Sequence, residues 1–161
     1  MTDTSAPRLN PAYLVAAFAT GCLLTLMVHF NGELGRYGNA LFASWAAHGT
    51  GTVAALIALA ILWPRRRPAP DGRPKAPLWA YLGGVSGAIT VILTSLTVNS
   101  PLALSGTLAL GLAGQVIFGL AADRWGFFGM PKRKAEARDF AALGLIVAGS
   151  ALIIFFGMGA A

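Results

Sequence analysis

Five apolar runs decide what this chain can become. They cover approximately Pro11–Phe30, Asn39–Trp63, Leu78–Val98, Leu102–Ala122 and Phe140–Met158. Each reaches the roughly 20 helical residues needed to cross about 30 Å of hydrocarbon. Lipid offers no water to backbone N–H and C=O groups, so each run must satisfy them internally as an α-helix. Composition agrees: 11% of the 161 residues are charged and 56% are apolar, against about a quarter charged in a soluble domain. So few charges cannot cover a water-soluble globule. The expected fold is an all-α membrane protein, a five-transmembrane-helix bundle forming a single integral membrane domain over residues 1–161.

The first run follows Arg8 and exceeds the roughly 7–15 apolar residues of a cleaved signal peptide. Its "AFA" (Ala17–Ala19) falls too early for cleavage, so it reads as an uncleaved span. The connectors differ. "NGELGRYGN" (Asn31–Asn39) has the glycines and asparagines of a tight turn. "PRRRPAPDGRPKAP" (Pro64–Pro77) is too rich in proline to be helical throughout. "NSP" (Asn99–Pro101) is a short hairpin, and "DRWGFFGMPKRKAEARD" (Asp123–Asp139) is a second basic connector.

Charge sets the orientation. A five-span path puts 11 of the 12 Lys and Arg residues on one side: Arg8, the set within Pro64–Pro77 and the set within Asp123–Asp139. The other side has only Arg36. The positive-inside rule then predicts a cytoplasmic N-terminus and a C-terminus on the outside, periplasmic or extracellular. Trp63, Trp79 and Trp125 fall at the predicted cytoplasmic helix ends, where amphipathic rings favour the headgroup zone. The net charge of +6 therefore reports topology, and no nucleic-acid partner is expected; membrane lipid is the surrounding partner.

Catalytic and cofactor chemistry finds no support. There is no zinc spacing, phosphate-cradling loop, nucleophile elbow or in-span carboxylate pair, so no catalytic residue, metal or cofactor is expected. "GTG" (Gly49–Gly51) follows no strand and reads as small residues in a membrane helix. Cys22 is the sole cysteine, allows no intramolecular disulfide and reads as a packing residue.

What remains is a set of small and polar seams. The third run carries Gly83, Gly87, Thr90, Thr94 and Thr97 on one side; the fourth carries Gly111, Gln115, Gly119 and Asp123 at steps of four. The second carries Ser44, His48, Gly51 and Ala55, and the first offers Thr25 and His29. Such seams usually mark helix–helix contacts. Gln115 reads equally as interhelical glue or as cavity lining. His48 is an ionisable group inside a span, which tends to face a protein interior or a water-filled cavity. His29 and Glu33 lie near the outer interface, where water solvates them. Asp123 is solvated or paired with Arg124, and Glu136 forms a surface pair with Lys132.

Four segments carry a family resemblance: "NGELGR" (Asn31, Leu34, Gly35 and Arg36 within it), "GGVSG" (Gly83–Gly87), "GQ" (Gly114, Gln115) and "DRWGFFG" (Asp123, Gly126, Gly129). In this order they resemble the YdcZ-like inner-membrane proteins of the drug/metabolite transporter superfamily, over nearly the whole chain from about Pro11. The GQ followed by D-x-x-G-x-x-G is the most specific part. Where the family carries a polar residue, often Gln, four positions before the Asn, this chain has Met27, and His29 is the polar side chain nearby.

The resemblance implies a half-unit of a ten-helix drug/metabolite transporter-like fold. It further implies a secondary transporter protomer for a small-molecule substrate, working with a homologous, oppositely oriented five-helix partner or otherwise as a homo-oligomer. The expected pathway residues are Gln115, His48, Thr94, Thr90 and His29, with His48 as the proton-responsive group. With no ATP-binding motif, a proton or substrate gradient is the expected drive. The alternative is a non-transporting membrane scaffold or interaction subunit, in which the seams are interface alone.

Overall fold

A computed structural model describes residues 10–65 and 75–157. Arg8, Arg66, Arg67 and Arg73 of the basic count, and Met158 at the end of the fifth run, lie outside the described residues. Five helices are long and apolar enough to cross a membrane. They are α1 (Pro11–Tyr37), α2 (Ala40–Leu62), α3 (Gly83–Val98), α4 (Ala103–Trp125) and α5 (Ala137–Gly157). A 3₁₀ segment, Leu78–Leu82, leads into α3, so the third run is not α-helical throughout.

The starts of α1 and α2 follow from capping chemistry. Asn10 accepts from the Ala12 N–H at 3.0 Å, with Pro11 at the first helical position, where its missing N–H costs nothing. Asn39 accepts from the Phe42 N–H at 2.8 Å and starts α2. The end of α1 departs from expectation. "NGELGRYGN" is not a turn over its length: α1 continues to Tyr37, and only Gly38 and Asn39 break it. The reason is tertiary. Asn31 and Gly32 are buried against α3, and that contact outweighs the weak helix propensity of Asn and Gly.

α1, α2 and α3 pack on one another, and α4 pairs with α5 while touching α3 and, only slightly, α1. The described buried apolar side chains are small: Val28, Ala43, Val91, Ala109, Ala113 and Ala122. Leu, Ile and Phe side chains point outward along all five helices. Lipid tails are as apolar as leucine, so burying large residues gives no gain and close backbone approach gives the contact.

Buried serines pin the helix pairs. Ser95 Oγ donates to the Asn31 carbonyl (α3 to α1) at 3.0 Å, and Ser150 Oγ to the Ala109 carbonyl (α5 to α4) at 3.0 Å. Ser44 Oγ donates to the Ala88 carbonyl (α2 to α3) at 3.2 Å. Each such bond is worth about 0.6 kcal/mol in lipid. Two of these three serines, Ser95 and Ser150, fall outside the seams read from the sequence.

Candidate functional site

The end of the molecule bearing the basic connectors is organised by the D-x-x-G-x-x-G segment. α4 closes at Gly126, whose φ of +69° lies in the left-handed region and whose N–H donates to the Ala122 carbonyl at 2.8 Å. Phe128 and Gly129 repeat positive φ values of 57° and 80°, so the chain doubles back within a few residues. Asp123 is engaged by Arg133 rather than by Arg124: its carbonyl accepts from the Arg133 N–H at 2.8 Å and its carboxylate from Nε at 3.4 Å. Arg133 also reaches Asp139 at 3.1 Å, and Asp139 accepts from the Glu136 N–H at 2.8 Å at the start of α5. These carboxylates, Asp139 before Asp123, hold the Arg133 guanidinium above its ordinary pKa. The expected Lys132–Glu136 pair does not form, because residues 130–136 are not helical and the i,i+4 spacing brings nothing together. Asp123, Gly126 and Gly129 are thus parts of a latch between α4 and α5. Trp79 joins it through Phe128, ring centroids 5.2 Å apart, and Trp125 stacks near Phe127 at 5.5 Å.

The opposite end is clamped. A Cβ on Gly32 would lie 2.8 Å from Val98 Cγ1, and one on Gly35 would lie 3.2 Å from Ser95 Cβ. Only glycine allows this approach of α1 to α3. Asn99 Nδ2 donates to the carbonyls of Gly32 and Ser95, both at 2.8 Å. Asn31 is 4% exposed, and its Nδ2 has no partner among the described residues. Leu34 faces the α1/α2 groove beside Asn31. Arg36 pairs with Glu33 at 2.9 Å and lies over the Tyr37 ring.

α1 and α4 touch each other only slightly. A cavity of about 640 Å³ opens among α1, α3 and α4, and Gln115, Thr90, Thr94 and Thr107 line it, with Thr25 and Cys22 from α1. Gln115 makes no hydrogen bond to any described residue. Thr107, 7% exposed, has an Oγ1 without a partner among the described residues. Thr25, Thr90 and Thr94 spend their hydroxyl protons on carbonyls of their own helices at 3.0, 2.8 and 2.8 Å, leaving only lone pairs toward the cavity. Thr107 escaped the sequence reading although a signal existed. It lies four residues before Gly111 and extends the Gly111–Gln115–Gly119–Asp123 stripe by one step.

His48 occupies a separate cleft of about 510 Å³ between α2 and α3, with Gly51, Ala55, Gly83, Gly87 and Thr90. Its Nδ1 lies 2.8 Å from the Ser44 carbonyl. A carbonyl only accepts, so in the neutral ring Nδ1 carries the proton and Nε2 presents its lone pair. Nε2 sits where a Cβ on Gly87 would be 3.3 Å away. Thr90 lines both spaces. His29 lines neither: it is exposed on α1, 5.9 Å from the Phe30 ring, while Met27 faces the cleft of His48. Gly114, beside Gln115, has nothing within 4 Å of its Cβ position.

The family model described as "Putative inner membrane exporter, YdcZ" matches residues 12–152. No curated protein gives a significant match, and neither does any solved structure.

Proposed function

Because the chain belongs to the YdcZ family of inner-membrane exporters, we propose that it is one protomer of a secondary transporter that moves a small molecule out of the bacterial cytoplasm. Its place is a multi-pass one in the inner membrane, and its family is one of transporters rather than enzymes. The observation that carries the proposal is the cavity among α1, α3 and α4, in which Gln115 and Thr107 keep unspent hydrogen-bonding groups within membrane-spanning helices. Unpaired polar groups at that depth are expensive unless water or a solute satisfies them.

The partner in this proposal is a second, homologous five-helix unit inserted the opposite way. Transporters commonly place the solute site between inverted repeats near the midplane. On α4, Gly111, Gly114 and Gly119 each have nothing within 4 Å of the Cβ position, leaving room for another helix. The same open glycines suit the alternative, a non-transporting scaffold subunit.

Transport in proteoliposomes separates the two. Vesicles loaded with a metabolite mixture should lose particular solutes faster when the protein and its partner are present. Gln115→Leu, close in volume and unable to hydrogen-bond, should return the loss to that of loaded protein-free vesicles while inserting normally. Full activity in the leucine variant would remove Gln115 from the site, and equal loss from protein-containing and protein-free vesicles would favour the scaffold.

A further inference from the structure

The cavity among α1, α3 and α4 carries a hydrogen-bonding inventory that selects a ligand chemistry. Its unspent donors are the Gln115 amide and the Thr107 hydroxyl, whose oxygen is buried without a partner among the described residues. Its acceptors are the Gln115 carbonyl and the lone pairs of Thr25, Thr90 and Thr94. Among the described residues, no Asp, Glu, Lys, Arg or His lines it. The described carboxylates nearest in sequence are committed at helix ends, Glu33 to Arg36 and Asp123 to Arg133. An ion entering this space would therefore meet neither a counter-charge nor bulk water, an arrangement that costs several kcal/mol or more. A neutral group would lose little, because each polar atom finds a partner.

We infer that this cavity takes an uncharged amphipathic small molecule bearing an amide or similar neutral donor–acceptor group, and discriminates against ions of either sign. The inference rests on the reading of this cavity as the solute site and names the substrate class of that site. Size agrees: about 640 Å³ lies within the roughly 300–1,000 Å³ of small-molecule sites. Thr107 and Gln115 stand eight residues apart on α4, about 12 Å along the axis. The solute's polar group is held by Gln115, and its apolar body lies against Leu108 and Leu112 in the direction of Thr107.

Cys22, the sole cysteine, lines the same cavity and reports its occupancy without any transport assay. The full-length protein in nanodiscs is labelled with N-ethylmaleimide at neutral pH in the presence of three isosteres: 4-butylbenzamide, 4-butylbenzoate and 4-butylbenzamidinium. The neutral amide should slow Cys22 labelling, with each charged isostere about tenfold or more weaker, a difference of about 1.4 kcal/mol. Gln115→Leu should raise the half-protecting amide concentration by about tenfold. Protection by either charged isostere equal to that by the amide would overturn the inference, as would labelling that no probe slows. A Cys22 that reacts only after denaturation would instead show that the cavity is closed to solutes, which overturns the underlying reading and the inference with it.

Discussion

Gly126 and Gly129 stand three residues apart in the same motif, yet a side chain would meet different surroundings at each. Both hold positive φ, which costs an L-residue about 1–2 kcal/mol. At Gly126 a Cβ would also lie 2.9 Å from Lys132 Cγ and 3.0 Å from the Met130 carbonyl oxygen, whereas at Gly129 it would meet open space. Gly126→Ala should therefore lower the thermal midpoint more than Gly129→Ala, and equal shifts would show that backbone conformation alone matters there. His48 invites a different test. Among the described residues it is the one titratable side chain lining the α2/α3 cleft, so His48→Gln should alter the pH profile of transport while keeping hydrogen-bonding capacity. An unchanged profile would return His48 to a packing role. Residue types alone pointed to His48, Gln115, Thr90 and Thr94, because polar groups in apolar runs are conspicuous. They set His29 apart only by its depth, near the outer interface, because which face of α1 meets a neighbour depends on packing. Nor could they show that Asp123 is bound by Arg133, ten residues along an irregular connector.

At the scale of elements, the runs and their helical state were readable because hydrocarbon thickness dictates length and lipid dictates helix. The extension of α1 through Asn31 to Tyr37 was not readable. Local propensity argued for a turn, and the decisive contact comes from α3, more than sixty residues away. That contact predicts a compensating pair. Gly32→Ala would drive its methyl group into Val98 and should destabilise by about 1–3 kcal/mol, the usual cost of overpacking. Val98→Ala in the same chain should recover part of the loss in a double-mutant cycle. Additive losses would mean that the close approach of α1 and α3 is not what Gly32 provides. Ser95 and Ser150 were missed for a related reason: a hydroxyl that bonds a neighbouring helix looks like any other serine until the helices are placed.

For the whole molecule, the 11-to-1 distribution of Lys and Arg argues that essentially every copy inserts one way. A working antiparallel homodimer would need copies in both orientations, so the expected partner is a homologous chain with the opposite charge bias. In a Cys22→Ala background, Gly72→Cys, in the basic connector beyond the described residues, should resist a membrane-impermeant maleimide in whole cells. Pro101→Cys, in the α3–α4 hairpin, should react. Labelling of Gly72→Cys in about half the molecules would establish dual insertion and remove the need for a second gene product.

The uneven partnership of the helices also bears on how the chain is made. α1, α2 and α3 complete their mutual contacts without α4 or α5, while α4 and α5 find their main partner in each other. A ribosome delivers them in that order. The first three helices can assemble while the remainder is still being translated, with Ser44, Ser95 and Asn99 already in reach of their acceptors. The last two then arrive as a hairpin whose turn is tied by Arg133 to both of its arms. Assembly in that order has two instalments, and the space among α1, α3 and α4 comes into existence only with the second.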